Sequence, residues 1–370
     1  MIRVLHIVPI MNRAGQETFI MNVYRSLDRS RVQFDFLATE SAEEGDYDEE
    51  IRNLGGRIYH AKGKHLGIRE SYRQIQAVVA QGGYGIVHRH YSNATMLHEL
   101  LAARAGGATA LIAHSHNTAS GGVVLHKLLR PLLYRVADWH LACSEAAGQW
   151  MFGNRPYDVV ANGIDPLLFQ YDPELRRSKR QELAVGDGLV VGHIGRMNEV
   201  KNQSWLLRVL QELLQRRPDA VLLLIGGGED EAKLREQTAA LGLQNAVRFL
   251  GVRADISGLL QAMDVFALPS LYEGLPVTLV EAQAAGLPCV VSDRVTREVA
   301  LVPEVSFLSL DESPRSWASL LISEAARGRR DTREEIRAAG FDIHDVADRL
   351  VAIYESLPAD AASSSRRTSR

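Results

Sequence analysis

Short apolar runs alternate with amphipathic stretches along this chain, stop, and then begin again. No other feature of the sequence narrows the fold as far. The first series is Val4–Val8, Val32–Leu37, Gly85–Val87, Ala110–Ala113, Trp139–Cys143 and Asp158–Ala161. Runs this short, bounded by Gly, Asn or Ser, suit strands buried on both faces. Between them lie helical patterns such as Glu17–Leu27, Ser71–Ala80, Thr95–Arg104 and Leu125–Val136. The second series is Gly188–Ile194, Ala220–Ile225, Ala246–Leu250, Val265–Leu268, Pro288–Val291 and Val305–Leu308, with helical spacers at Asn202–Gln215 and Asp230–Leu241. Strand–helix alternation means βαβ units and a parallel sheet, so two series predict an α/β chain of two doubly wound domains. The 370 residues accommodate that, at roughly 100–200 residues per domain. Asn162-Gly163 and Asp165-Pro166 are turn signals, and with the polar stretch that follows they place a linker near residues 162–185. Pro358–Arg370 has no apolar periodicity and is expected to be disordered.

Composition excludes several functions. Forty-two basic residues against 45 acidic ones leave a charge of −3, too balanced to hold nucleic acid by overall charge. Two cysteines in apolar runs form neither a disulfide framework nor a Cys-based zinc site, and they fit a reducing, cytoplasmic compartment. No apolar run approaches the ~20 residues that span a bilayer, and the N-terminus reads as a first strand, not a signal peptide.

In such sheets ligands bind at the carboxyl ends of strands, which directs attention to four loops. Ser270-Leu-Tyr-Glu273-Gly-Leu-Pro276-Val-Thr278-Leu279-Val-Glu281 follows a strand and enters a helix near Pro276. The N–H groups of Val277, Thr278 and Leu279 would form an anion site there, with Glu273 and Glu281 as acceptors for ligand hydroxyls. The same spacing equally suits a capped helix with two solvent-facing glutamates. In Gly195-Arg196-Met-Asn-Glu-Val-Lys201-Asn202 two cations sit five residues apart before a helix, in a chain with six lysines against 36 arginines. A forked donor and a point charge suit a diphosphate, and cations at a helix start oppose the dipole unless an anion joins them. Gly15 would let a phosphate or sugar approach the backbone after the first strand, although an ordinary β–α turn explains it as well. Gly226-Gly227-Gly228 is comparable and is no dinucleotide fingerprint.

The fourth loop is Ala113-His114-Ser115-His116-Asn117, ending the fourth strand of the first series. An imidazole there could hydrogen-bond a sugar hydroxyl or shuttle a proton. No third ligand accompanies the pair locally, so no metal site is expected. His88-Arg89-His90 ends the preceding strand and either lines the same place or is surface. Asp46-Tyr47-Asp48 has the spacing of an acidic metal pair, but sits in an acidic loop or helix start, where Asp and Glu are common.

Taken together, Gly195-Arg196…Lys201, Glu273…Glu281 and Val160-Ala-Asn162-Gly-Ile-Asp165, with Ala142-Cys-Ser-Glu145, Phe249-Leu-Gly251 and Glu281-Ala-x-Ala-x-Gly286, resemble the retaining glycosyltransferases of family 4 with the GT-B fold. The likeness covers residues 1–356, and its wording is similar to members that build exopolysaccharide, capsule or lipopolysaccharide. It implies a nucleotide-sugar donor, UDP-linked by preference with GDP open, and a glycan or polyprenyl-linked acceptor. It implies no cofactor and no metal. Arg196 and Lys201 would hold the diphosphate, Glu281 the ribose, Glu273 the donor sugar, the backbone of Thr278 and Leu279 phosphate and sugar, and the backbone near Arg253 the base. Gly15 would approach the β-phosphate, and His116 would stand near the anomeric centre, with His114 as its substitute. The catalytic set is then His116, Glu273, Arg196 and Lys201. The resemblance also implies that residues 1–168 form an acceptor domain to which a final helix, 343–357, returns, and that 169–342 form the nucleotide-sugar domain. The chain departs from the pattern at Ala14, where a second glycine is common, and at Asn202, a frequent glycine. A sugar-nucleotide epimerase of the same fold and an inactive sugar-nucleotide scaffold are the rival readings. His126-Lys-Leu-Leu-Arg130-Pro-Leu-Leu-Tyr-Arg135 mixes apolar and basic residues and suits either an anionic bilayer at the inner face of the cell membrane or ordinary packing.

Overall fold

The computed structural model describes residues 1–40, 42–61, 67–117 and 121–357; the tail expected to be disordered lies outside them. The chain forms two units, Met1–Ile164 with Gly340 onward, and Asp165–Ala339.

The first unit carries β1 (Ile2–Val8), β2 (Val32–Ala38), β3 (Ile58–His60), β4 (Ile86–Tyr91), β5 (Ala110–Ser115), β6 (Trp139–Ala142) and β7 (Asp158–Val159). They form one parallel sheet in the order β3-β2-β1-β4-β5-β6-β7. The second unit carries β8 (Val190–Ile194), β9 (Val221–Ile225), β10 (Val247–Gly251), β11 (Val265–Leu268), β12 (Cys289–Ser292) and β13 (Val305–Leu308), also parallel, in the order β10-β9-β8-β11-β12-β13. Both sheets are doubly wound. Strand order reverses between β1 and β4 in one and between β8 and β11 in the other, and that reversal opens a crevice at the strands' carboxyl ends.

Helices cover both faces of the first sheet. Phe19, Ile20 and Val23 of the helix Gly15–Ser26 and Val346, Leu350 and Tyr354 of the final helix Ile343–Ser356 bury one face of β1 and β2. Leu97, Leu100 and Leu133 close the other. In the second unit Leu206, Leu210, Leu213 and Trp317 pack on Val191, Leu222 and Val265.

Four local expectations change. β3 is an added strand, three residues long, which makes β5 the fifth. β4 runs on to Tyr91, so His88 and His90 lie inside a strand and are fully buried. The first unit ends at Ile164, not residue 168, because the short helix Pro166–Phe169 packs with the second unit. The stretch read as a linker is largely helical, Pro166–Phe169 and then Pro173–Glu182, with Asp165 and Asp172 capping the two starts. Asp-Pro reads as a turn, but Asp at an N-cap and Pro at the first helical position also start a helix.

Candidate active site

The second unit brings Arg196, Lys201 and Glu273 to the loops at its β8/β11 reversal. After β8 the backbone runs through Gly195 to Met197 and is gripped by the glycine run following β9. Gly195 N–H donates to Ile225 and Met197 N–H to Gly227. A Cβ on Gly226 would strike the Gly195 carbonyl, and one on Gly228 the Met197 carbonyl. Gly226 and Gly228 therefore allow two loops to touch. Asn198 then caps a single turn, Glu199–Lys201, and Asn202 stands in the left-handed region at φ 54°. Asparagine tolerates that region better than most residues, so the departure from glycine leaves the loop shape intact, and the Asn202 side chain adds a bond to the Pro269 carbonyl.

This turn aims Lys201 at the loop after β11. Its Nζ lies 2.5 Å from Glu273 Oε1, which also accepts from Ser270 Oγ at 2.7 Å. Leu271 N–H donates to the Val200 carbonyl and ties the two loops together. Arg196 is exposed and, among the described residues, its side chain pairs only with Glu229, itself exposed, at 2.9 Å, a contact of little energetic weight. The unit thus presents one anchored cation and one nearly free one.

The helix Val277–Ala284 starts after Pro276, and no side chain caps it. Leu279 N–H is spent on the Pro276 carbonyl, so the expected anion site narrows to the N–H groups of Val277 and Thr278. Thr278 Oγ1 donates to the Ile194 carbonyl at 3.4 Å and pins the helix start to the end of β8. One turn in, burial pushes the Glu281 carboxyl up to about 8. The Nε and Nη2 of the Arg253 guanidinium are engaged by Asp255 and Glu182, which favours its backbone over its side chain for a ligand. Two residues escaped sequence reasoning. Buried His193 donates its Nδ1–H to the Ala267 carbonyl, and the Gln203 amide nitrogen joins its Nε2 to the Arg196 carbonyl. Together they set the path of the Arg196 loop.

The first unit contrasts at its own reversal. The helix Gly15–Ser26 begins uncapped, and a Cβ at Gly15 would meet nothing within 4 Å. Behind it stand five buried histidines. His6 Nδ1 bonds His90 Nε2 at 2.9 Å, His90 Nδ1 bonds His116 Nε2 at 2.8 Å, and His88 joins Tyr354 Oη at 2.7 Å to His114 Nδ1 at 3.2 Å. Burial pulls His6 and His116 down to about 3 and holds the other three well below the ordinary imidazole value. His116, the outermost at 9% exposure, is therefore a neutral donor–acceptor, not a cation. His114, its expected substitute, is wholly buried. The third imidazole that the sequence lacks near His114 and His116 arrives across the sheet as His90. Asp46 and Asp48 do not form a shared site: Asp46 accepts from Arg13 N–H, while buried Asp48 stands 2.7 Å from His60.

Two doubly wound parallel sheets in one chain are the architecture of the GT-B class. The family models "Glycosyltransferase Family 4" and "Glycosyl transferases group 1" match residues 13–167 and 176–335, and the chain belongs to the glycosyltransferases built from these two domains. It is 37% identical to the Bacillus subtilis protein named "Putative glycosyltransferase EpsF", over 95% of this chain and 96% of that one. It is 25% identical to an Escherichia coli UDP-Gal:alpha-D-GlcNAc-diphosphoundecaprenol alpha-1,3-galactosyltransferase, over 79% of each. Among solved structures, Anabaena HepE in complex with UDP and glucose has the same fold at TM-score 0.78 and 21% identity, over 96% of this chain and 100% of that one.

Proposed function

We propose that this glycosyltransferase moves a hexose from a nucleotide-diphosphate sugar, UDP-linked by preference, to a glycan or lipid-linked acceptor in cell-surface polysaccharide synthesis. It does so with retention of configuration and without a metal on the diphosphate. The observation that carries the reading is the Lys201–Glu273 pair beside the uncapped start of Val277–Ala284. Breaking the bond between sugar C1 and the diphosphate builds negative charge on the departing phosphate. Lys201, Arg196 and the Val277 and Thr278 N–H groups supply fixed positive potential for that charge, the work a metal ion does in other enzymes. Glu273 accepts from hydroxyls of the donor sugar and Glu281 from the ribose. In the first unit, Gly15 leaves open backbone for phosphate, and neutral His116 offers a hydrogen bond to the sugar. Among the described residues no second carboxylate stands with Glu273 as a nucleophile, which favours attack from the leaving-group side, with the phosphate oxygen taking the acceptor's proton. The UDP and diphosphoundecaprenol in the relatives' names support the donor base and the lipid-linked acceptor.

A thermal-shift panel of UDP-, GDP- and ADP-sugars tests the donor, since a ligand of the native state raises the melting temperature. UDP-sugars are expected to give the largest shift; no shift with any nucleotide overturns the reading.

No helix among the described residues is long and apolar enough to cross a membrane. The helix Val123–Val136 nevertheless exposes Val124 (76%), Leu128 (71%) and Leu132 (47%) at four-residue spacing, beside exposed Lys127 and Arg135. That stripe supports a peripheral position on an anionic bilayer. Leu128→Asp is expected to reduce co-sedimentation with anionic vesicles several-fold while the nucleotide-sugar shift stays unchanged.

A further inference from the structure

The histidine cluster of the first unit is larger than sugar transfer requires. Parallel register sets His6 opposite His88 across β1 and β4, and His90 opposite His114 across β4 and β5. Alternation along each strand then brings all of them to one face, with His116 just beyond. Among the described residues, three ring nitrogens in this buried cluster have no hydrogen-bond partner: His6 Nε2, His114 Nε2 and His116 Nδ1. Apolar side chains would fill this face without stranding buried polar atoms.

We propose that His90, His114 and His116 form a binding site for one divalent transition-metal ion of the Zn²⁺ class. One nitrogen from each ring lies within 4.8 Å of the others. A tetrahedral zinc bound at ~2.0–2.1 Å needs nitrogens about 3.3 Å apart, so the 2.8 Å pair His90–His116 must open by only about half an ångström. Burial keeps all the imidazoles neutral, so their lone pairs are available without loss of a proton. Two of the three outer nitrogens are already supported, as metal-bound histidines require. His90 Nε2 meets His6 Nδ1, His114 Nδ1 meets His88 Nε2, and His88 in turn meets Tyr354 Oη. Asn162, whose amide oxygen is also unpartnered, adjoins His116. Ligation then changes only tautomers: His90 donates to His6, His114 to His88 and His88 to Tyr354, and all five rings stay neutral. An all-imidazole donor set selects Zn²⁺, Co²⁺, Ni²⁺ or Cu²⁺ over Mg²⁺ or Ca²⁺, and water completes the fourth position. His6, His88 and His90 meet the same distance limit. Both sets need His90, so one ion binds per chain, and the slight exposure of His116 gives the chosen set its entry. The ion holds His116 and so slows transfer; this consequence rests on the function proposed above, whereas the binding does not.

The test is titration of the EDTA-stripped full chain with Co²⁺, which absorbs intensely in the visible when four-coordinate. The expected result is one four-coordinate Co²⁺ per chain, displaced by one Zn²⁺, with the spectrum lost in His90→Asn and His114→Asn and kept in His344→Asn, an exposed histidine. Where the first two variants fail to fold by circular dichroism, His116→Asn, at the outer edge, is expected to weaken binding at least tenfold. A folded chain with no stoichiometric four-coordinate spectrum overturns the site, as does a spectrum unaltered by His116→Asn. Binding with no slowing of transfer leaves the site standing and removes His116 from the transfer reaction.

Discussion

The two units share one architecture and furnish its crevice in opposite ways. At the β8/β11 reversal of the second unit, charge is displayed: Lys201 with Glu273, exposed Arg196, and an uncapped helix start. At the β1/β4 reversal of the first, apart from exposed Arg13 in the loop after β1, charge is withheld. Five imidazoles are kept neutral by burial, Glu17 at the start of Gly15–Ser26 is pushed up to about 7, and the one buried cation nearby, Arg89, is spent on Glu99 and the Ile7 and His90 carbonyls. A doubly wound sheet supplies a place for a ligand but not its chemistry. The residues following each strand decide whether that place attracts a phosphate or merely hydrogen-bonds a hydroxyl.

The comparison can be broken most sharply at Lys201. Lys201→Ala is expected to lower kcat/KM by about 10²–10³-fold, the scale of losing one preorganised charge donor, and to abolish the thermal shift with UDP-sugars. Full activity in a folded variant would show that the second unit's charges are not the transfer machinery. His116→Ala should act differently, lowering kcat by about 10²-fold while the nucleotide shift persists, because the cations proposed for the diphosphate, Lys201 and Arg196, are untouched. Equal loss of donor binding would erase the distinction between the units.

A smaller effect is expected at Glu281, whose carboxyl burial alone raises to about 8. The group is protonated in the free protein at neutral pH, whereas ribose hydroxyls favour the ionised form as acceptor. Donor affinity should therefore rise several-fold as pH climbs through about 8, and the dependence should flatten in Glu281→Gln. The sign for stability is opposite. The folded state holds a proton that the unfolded chain releases near its ordinary value, so the stability conferred by this group falls as pH rises from that value to about 8. Calorimetric melting of the wild type and Glu281→Gln across that window checks both signs, and parallel curves would remove Glu281 from both.

Much of this was legible along the chain. Apolar runs bounded by turn residues marked nearly every strand, because a strand buried on both faces must be continuously apolar. Ile58–His60 was missed because three residues carry no period. The loops bearing Arg196, Lys201 and Glu273 were also legible, since each follows a strand within a few residues, and so was the helix that carries Glu281. The capping of Leu279 N–H by Pro276 was not, as it depends on how the first helical turn tightens. The linker misled because Asp-Pro signals a turn and a helix start with the same two residues.

By itself, then, the sequence determined the two sheets, their order of elements and the charged loops of the second unit, all properties of neighbours in the chain. Only the tertiary structure decided that Lys201 meets Glu273 72 residues away, that Tyr354 reaches His88 across 266, and that His6, His88, His90, His114 and His116 form one buried cluster. Those meetings depend on strand register and on desolvation. Register is set by the packing of whole sheets, and desolvation by everything that surrounds a group, so neither is written in any local stretch of residues.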